Sequence, residues 1–418
     1  MSRYLYIAAL VIAGEMVFGL PFHTARFFRP TMLDVFGFTN TQLGDMFALY
    51  GITAMASYFP GGAIADHFSA RFLLTASLVA TGCGGLYMAT IPGSTGMTIL
   101  YGYWGITSIF LFWGALIRAT REWGGNTAQG AAFGILESGR GIAAALFASL
   151  LVAIFAWYMP DDATLATDST RRAGFQIVVL GYSAITIAAG MFTWIVIPDP
   201  GEVSPLRRNP FENMLLVLGR PIIWAQAAII VCAYCGYKSF DYYSLYAVEV
   251  LGKDEVEGAQ LVSYGAYIRP VAALAAGLIA DRFDATRSIG AVFLVMAIVS
   301  VVLSTVTPDT TLISVIYLNI GISAFAIFAL RGIYFALLQE TRTPRQITGA
   351  AVGMISLVGF TPEIFFAPIA GRILDADPGV VGFLNLFTLL AAIAVVGVMF
   401  VIWLVFLQRN KSDSEPVS

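Results

Sequence analysis

The chain is dominated by apolar runs that are each long enough to cross a lipid bilayer. A hydrocarbon core of about 30 Å takes roughly 20 helical residues, and runs of this length recur from one end of the sequence to the other. Hydrophobic residues make up 58% of the 418 residues and charged residues only 12%, about half the charged share of a soluble protein. The sequence therefore predicts an all-α protein whose surroundings are the lipid bilayer.

Breaks at proline, glycine and charge clusters divide the apolar sequence into twelve predicted transmembrane helices, called spans here. They are 4–33, 42–65, 72–91, 96–118, 130–157, 173–197, 221–250, 259–280, 288–306, 311–339, 347–374 and 380–407. The N-terminal residues have no small-residue cleavage site and continue into the first span. We therefore interpret them as a helix and not as a removed signal.

Two stretches repeat half a chain apart. GGAIADHFSAR (61–71) follows the second span and resembles AGLIADRFDATR (276–287) after the eighth. Such repeats predict two pseudo-symmetric six-helix bundles. The predicted parts are an N-terminal bundle (1–197), a cytoplasmic linker (198–220), a C-terminal bundle (221–408) and a short cytoplasmic tail (409–418). Within the linker, 211–218 is predicted to form a short helix on the membrane surface.

Basic residues of the loops collect on one side of the predicted topology. Arg71, Arg121 and Arg409 fall on the same side as both termini, whereas the opposite loops carry mainly acids such as Asp161 and Asp254. The positive-inside rule then predicts a multi-pass plasma membrane protein, in a bacterium the inner membrane, with both termini in the cytoplasm. No basic block indicates a nucleic-acid partner.

The repeated motifs carry a family resemblance. Gly62-Ala-Ile-Ala-Asp66 and Gly277-Leu-Ile-Ala-Asp281-Arg282 resemble the Gly-x-x-x-Asp-Arg-x-Gly-Arg-Arg signature of the major facilitator superfamily, with His67 and Ser69 replacing its Arg and second Gly. The resemblance implies a secondary transporter with alternating access and a conformational latch. The latch candidates are Gly62, Asp66, Arg71, Arg118, Gly277, Asp281 and Arg282. Small glycines would let the helices approach closely, and Asp66 would accept hydrogen bonds from a helix N-terminus or an arginine.

Within that family, the chain looks most like the organophosphate and organic-anion branch. The similarity covers FRPTMLDVFGFTNTQLGDMFALYGITAMASYFPGGAIAD and CGYKSFDYYSLYAVEV, and Arg118 matches a fourth-span arginine of the branch. The resemblance implies an anionic solute. At the branch's anion-binding arginines the chain has His23 and Gly236, with Arg26 and Lys238 displaced from them by three and two residues.

Glu137 and Arg140 interrupt the fifth predicted span. A charged side chain that faces lipid at this depth costs about 3 kcal/mol or more, and residues three apart are neighbours on a helix. Two interpretations stay open. The residues form a local ion pair that joins helices, or Arg140 lines a central cavity and binds a carboxylate, sulfonate or phosphate group. We favour the second, because cations recur at similar depth elsewhere.

Those cations occur beside tyrosines, whose rings and hydroxyl groups together suit a small polar solute. The substrate-binding candidates are Arg140, Lys238, Arg269, Arg331, Arg26, Tyr237 and Tyr267. A second set is predicted to carry a coupling proton or to balance charge, and comprises Glu15, Glu137, Asp241, Glu363 and His23. Glu15, without an obvious local cation, is the first choice for the proton. His23 is a relay or an ordinary packing residue.

We expect a proton-coupled secondary transporter of a small organic anion such as a sugar acid, carboxylate or phosphate ester, bound at the midplane between the bundles. Exchange against a counter-anion is the close alternative. Amphiphile, lipid or drug export and a transport-inactive sensor are further ones. No enzyme, catalytic or metal-site motif is found, and no cofactor is predicted. Cys232 and Cys235 are interpreted as packing residues. A monomer is expected.

Overall fold

Every predicted span coincides with helix in the part of the chain that the structure describes. The computed structural model describes residues 3–125, 129–198, 217–340 and 348–414, and all regular secondary structure in these ranges is helical. Among the described residues nine helices are long and apolar enough to cross a membrane, and a bent pair, Arg3–Met16 with Gly19–Phe27, makes up to ten. The prediction of an all-α membrane fold is confirmed.

The helices follow the order of the predicted spans. In the first half they are Arg3–Met16, Thr24–Phe27 and Arg29–Phe36 (first span), Asn40–His67 (second), Ala70–Met88 (third), Ser94–Gly105 and Trp113–Gly124 (fourth), Gln129–Tyr158 (fifth) and Asp168–Val196 (sixth). In the second half they are Pro221–Ser239 and Tyr243–Glu249 (seventh), Glu255–Ala266 and Ile268–Phe283 (eighth), Ala285–Leu303 (ninth), Ile313–Ile333 and Leu337–Glu340 (tenth), Thr348–Gly359 and Pro362–Ala376 (eleventh), and Val380–Ser414 (twelfth). Most of the predicted surface helix at 211–218 lies outside the described residues.

Short polar side chains set where several helices begin. Thr39 and Gln42 form a capping box at the start of Asn40–His67, in which each side chain bonds the other residue's backbone N–H. Ser69, which departs from the family signature, accepts a hydrogen bond from the Phe72 N–H and so begins the third span. Asp254 and Glu257 repeat the capping box in the eighth span.

Two spans contain a π-helical turn. Gly19–His23 lies in the first span and Ile106–Phe110 in the fourth. The first of these turns follows a break after Met16, at which the helix bends by 40°. In a π-helical turn the backbone hydrogen bonds join residues five apart, whereas in an α-helix they join residues four apart. Such turns are frequent at functional sites.

The described residues cluster into two compact units. The larger unit comprises Met1–Arg207, Asp241–Tyr267 and Glu363–Asp375, and the smaller unit comprises Arg208–Phe240, Ile268–Pro362 and Ala376–Ser418. The larger unit thus holds segments from both halves of the sequence, packed around an apolar core that includes Leu74, Phe112 and Leu116. The predicted division into two six-helix bundles at 1–197 and 221–408 stays a prediction.

Candidate functional site

Arg140 is the centre of a buried charge cluster in the larger unit. Its Nη1 donates to Glu137 Oε1 at 2.6 Å, and its Nε donates to Glu15 Oε2 at 3.1 Å. The side chains of Arg140 and Glu15 are each 3% exposed, whereas that of Glu137 is half exposed. The local ion pair of the first interpretation is therefore present, and a second carboxylate from the first span completes it.

Glu15 joins Arg140 to His23. Its Oε1 lies 3.3 Å from His23 Nε2, and both side chains are buried. The expectation that Glu15 has no nearby cation is therefore wrong, because Arg140 approaches it from the fifth span, 125 residues away. One carboxylate between a guanidinium and an imidazole can exchange partners when its protonation changes.

Apolar and small side chains enclose this cluster. The Arg140 guanidinium lies 5.7 Å from the Phe18 ring centroid and 6.0 Å from that of Trp113. A methyl group at Gly14 would come within 3.2 Å of Arg140 Cδ, so the small residue leaves room for the arginine. The surroundings bury the pair of Arg140 and Glu15, whose side chains are each 3% exposed, and ion pairs are stronger where water is excluded.

Arg26 lies further along the first span and pairs with the second half of the chain. Its Nε donates to Asp241 Oδ1 at 2.6 Å, and both side chains are buried. Its backbone carbonyl accepts the Ser244 hydroxyl at 2.8 Å. Asp241 follows Lys238 by three residues in the sequence, and in the structure its carboxylate pairs with Arg26 from the first span.

Arg29 was not among the predicted site residues. It is fully buried, its Nε donates to Asn40 Oδ1 at 3.0 Å, and its guanidinium stacks 4.0 Å from the Tyr242 ring centroid. A signal was present in the sequence, since His23, Arg26 and Arg29 recur at three-residue steps along one helical region. Residues three apart are neighbours on a helix, so each of these residues lies beside the next one in the series.

The smaller unit holds the cations of the second half. Lys238 and Arg269 are buried there, at 2% and 6% exposure. Arg331 lies over the Tyr237 ring, with its guanidinium carbon 4.1 Å from the ring centroid, which is a favourable cation–π contact. These candidates lie in the helical interior, and their role as a solute site stays a prediction.

Tyr267 and Glu363 belong to the larger unit. Tyr267 is 41% exposed, and its hydroxyl lies 3.0 Å from Ser149 Oγ of the fifth span. Glu363 is half-buried at the start of Pro362–Ala376, with its backbone against Gly51 of the second span. Both residues therefore contribute to packing between segments from the two halves of the sequence.

The latch candidates are only partly brought together. Arg118 Nη1 donates to the carbonyls of Ala65 and Phe68, and its Nε donates to Glu122 Oε1 at 2.9 Å. A cation on the last carbonyls of a helix is favourable, so Arg118 terminates the second span. The side chain of Asp66 lies outside what the structure describes.

The other latch candidates are placed as follows. Arg71 lies 4.2 Å from the Trp194 ring centroid, Arg282 lies 5.5 Å from that of Phe283, and Asp281 is exposed. A methyl group on Gly62 or Gly277 would meet no described atom within 4 Å. The described residues thus show no close contact at these two glycines, and their part in a latch stays a prediction.

Buried charge in the described residues is predominantly positive. The fully buried cations are Arg26, Arg29, Arg140, Lys238 and Arg269, and the fully buried carboxylates are Glu15 and Asp241. Guanidinium and ammonium groups donate charge-assisted hydrogen bonds to carboxylate and phosphate groups, so buried cations are chemically suited to binding anions. Among the described residues no three His, Cys, Asp or Glu side chains are grouped as a metal ion would require.

The chain is similar to two curated relatives over nearly its whole length. Inner membrane protein YqcE of Escherichia coli strain K12 is 26% identical over 425 residues, covering 99% of this chain and 97% of the relative. Inner membrane protein YihN of the same organism is 26% identical over 428 residues, covering 98% and 97%. Both alignments extend across all the predicted spans.

Solved structures share the fold at low sequence identity. A mutant of the nucleoside transporter NupG superimposes with a TM-score of 0.74 at 12% identity, covering 96% of this chain and 100% of that one. A bacterial homologue of the human lysosomal transporter Spinster, inward-facing and unoccupied, superimposes with a TM-score of 0.71 at 14% identity, covering 99% and 98%. The Major Facilitator Superfamily model matches residues 11–362. Because that match covers most of the chain and the fold agrees, this protein is a membrane transporter of the Major Facilitator Superfamily.

Proposed function

We propose that the chain couples proton entry to the transport of a small organic anion across a bacterial inner membrane, with both termini in the cytoplasm. The burial of several arginine and lysine side chains among the described residues carries the proposal, because these groups can donate charge-assisted hydrogen bonds to a carboxylate, sulfonate or phosphate. The two inner membrane relatives support the location, and the two transporter structures support alternating access.

The cluster of Glu15, Arg140 and His23 supplies a coupling mechanism. When Glu15 is ionised, it holds Arg140 Nε at 3.1 Å and competes with any other anion for that guanidinium. When Glu15 takes up a proton, by way of His23 at 3.3 Å, its attraction for Arg140 falls. The released donors then bind the carboxylate, sulfonate or phosphate of the solute, so proton and solute bind together.

The role of Arg140 in solute binding is tested by ligand-induced thermal stabilisation. The purified protein is screened against sugar acids, dicarboxylates, sugar phosphates and neutral amino acids. We expect a subset of anions to raise the Tm of the wild type and to lose this effect in Arg140→Gln. Arg287→Gln, which removes an exposed arginine paired with Asp284, is the matched control and keeps the anion response. Equal stabilisation of the wild type and Arg140→Gln contradicts the assignment.

Coupling is tested by uptake of the selected anion into liposomes with and without an imposed pH gradient. We expect an inwardly directed proton gradient to drive accumulation in the wild type. Glu15→Gln, which cannot exchange a proton, should lose the gradient effect and keep solute exchange. Glu122→Gln, at an exposed partner of Arg118, is the control. A Glu15→Gln variant that still concentrates solute under the gradient removes Glu15 from the mechanism.

Anion exchange is the second candidate, and the same liposomes distinguish it. An exchanger would take up solute without a pH gradient whenever the lumen contains phosphate or another anion. A proton symporter would accumulate solute without any internal anion. The carboxylate between Arg140 and His23 favours symport, because exchange of two anions needs no titrating group at the cationic site.

A further inference from the structure

The guanidinium of Arg29 is an unusual buried group of the larger unit. It is 0% exposed, and its Nη1 and Nη2 atoms have no hydrogen-bond partner within the described part of the chain. Its single hydrogen bond there uses Nε, which donates to Asn40 Oδ1 at 3.0 Å. Donors of a charged group that stay unsatisfied in a dry interior destabilise the folded protein. The position is therefore built for an acceptor that binds to both atoms.

Tyr101 provides a second donor near this guanidinium. Its hydroxyl is buried and also without a hydrogen-bond partner among the described residues, and the charges of Arg29 and Asp241 both act on it. The ring is fixed edge-on between Phe47 at 5.1 Å and Trp104 at 5.4 Å. Two rigid donor groups that share one buried region suit a bound anion better than they suit a cation.

The carboxylates described nearby do not balance Arg29. Asp241 pairs with Arg26 at 2.6 Å. The Asp375 carboxylate accepts hydrogen bonds from the backbone N–H groups of Asn40 at 3.0 Å and of Thr41 at 2.7 Å. It therefore caps the N-terminus of the helix Asn40–His67. Among the described residues, two buried guanidinium groups and one buried carboxylate lie together in this interior, which leaves one positive charge for another partner.

We propose that Arg29 and Tyr101 bind a small inorganic monoanion of chloride size, at a site distinct from the Arg140 cluster. The size follows from the enclosure, since Arg29 has no exposed surface and the Tyr242 ring lies directly against its guanidinium. Bound anion neutralises the guanidinium and so stabilises the packing of Tyr242, from the second half of the chain, onto the first span. The site goes beyond the proposed transport function and does not depend on it.

Chloride binding to the full-length purified protein is measured at constant ionic strength, with sodium chloride replaced stepwise by sodium gluconate. We expect a saturable rise of a few degrees in the Tm with chloride, and saturable binding of radioactive chloride. Bromide and nitrate should substitute, because they carry the same charge at similar size. The larger gluconate ion should not.

Variants locate the site. Arg29→Gln should abolish the chloride response, and the milder Tyr101→Phe, which removes only a hydroxyl group, should weaken chloride affinity several-fold. Tyr182→Phe is the matched control, because Tyr182 is another fully buried tyrosine of the larger unit with no hydroxyl partner among described residues. It should respond to chloride as the wild type does.

Three results would overturn the proposal. Equal Tm values in chloride and gluconate, without saturable binding, would mean that water satisfies these donors. Equal effects of Tyr101→Phe and Tyr182→Phe would place chloride elsewhere. An Arg29-dependent response to the transported organic anion but not to chloride would make Arg29 part of the solute path. Arg140→Gln separates the two hypotheses, since it should lose the solute response and keep the chloride response.

Discussion

Gly51 lies where the second span touches the backbone of Pro362–Ala376. A methyl group at this position would come within 2.8 Å of the Glu363 carbonyl carbon and 2.9 Å of its oxygen. Backbone atoms cannot move aside as the end of a flexible side chain can, so the glycine is needed for this approach. Gly44 and Gly371 meet backbone atoms of Ala367 and Asn40 in the same way.

The substitution Gly51→Ala should therefore destabilise the protein by overpacking, by about 1–3 kcal/mol. The measurement is the Tm, or the midpoint of denaturant unfolding, in one detergent. Gly62→Ala is the control, because no described atom lies within 4 Å of the added methyl group; it should change stability by less than about 0.5 kcal/mol. If both variants are equally destabilised, the packing argument is wrong.

At this scale the sequence allowed the charged residues to be selected, but it allowed them to be paired only where the partners are three residues apart, as Glu137 and Arg140 are. A charge in an apolar run is visible by itself, which is why Glu15, Arg26 and Arg140 could be predicted as site residues. Their partners are 125 and 215 positions away for Arg140–Glu15 and Arg26–Asp241. Only the packing of the spans brings these groups together, and no local pattern encodes that packing.

Helix Asn40–His67 begins with two caps of different origin. The local cap is Thr39, which accepts from the Gln42 N–H at 3.2 Å. The second cap is Asp375 from the eleventh span, whose carboxylate accepts from the Asn40 and Thr41 N–H groups. A carboxylate at a helix N-terminus also interacts favourably with the helix dipole. The helix start thus depends partly on a segment that the sequence places 335 residues away.

Asp375→Ala should increase hydrogen–deuterium exchange of the amides at 40 and 41 and should lower stability by about 0.5–2 kcal/mol. The exchange of peptides that cover 37–47 measures the effect. Thr39→Ala is the matched variant and should raise exchange chiefly at Gln42. Unchanged protection of amides 40 and 41 in Asp375→Ala would show that this carboxylate does not cap the helix in solution.

On the scale of the whole molecule, the larger unit contains contacts between segments from both halves of the sequence. Besides Arg26–Asp241, Arg171 Nε lies 2.9 Å from Glu255 Oε1, and Glu255 Oε2 accepts the Thr31 hydroxyl at 3.0 Å. Arg372 makes a two-point contact with Asp45 at 2.9 and 3.3 Å. The alternating access proposed above would require such contacts to separate in every cycle, so on that proposal they set how stable this packed state is.

Arg26→Ala alone should be strongly destabilising, by about 3–5 kcal/mol, because it leaves the Asp241 carboxylate buried without its arginine. The exchange variant Arg26→Asp with Asp241→Arg should recover part of that loss, since opposite charges face each other again. Thermal unfolding of the single and double variants measures this. If the exchange variant is less stable than Arg26→Asp alone and Asp241→Arg alone, the pair depends on more than charge.

The long-range organisation is what the sequence could not predict. The twelve spans follow from hydropathy, since each is a local pattern, and all of them coincide with helix where the structure describes them. The compact units do not follow the sequence halves, because Asp241–Tyr267 and Glu363–Asp375 cluster with the first half. Which segments pack together is decided by contacts between residues far apart in the chain, and no local sequence window records those contacts.

The π-helical turn at Gly19–His23 determines how this protein should be aligned with its relatives. Glu15 and His23 are eight residues apart, so on an uninterrupted α-helix they would point about 80° away from each other. The break after Met16 and the turn bring the two side chains into contact. In a relative whose first span is an uninterrupted α-helix, the side chain that faces the position of Glu15 would come from a different place in the sequence. Equivalent positions beyond residue 18 should thus be assigned by superposing the structures. An alignment that only counts residues would compare side chains that face different directions and would report a substitution where the helix register has shifted.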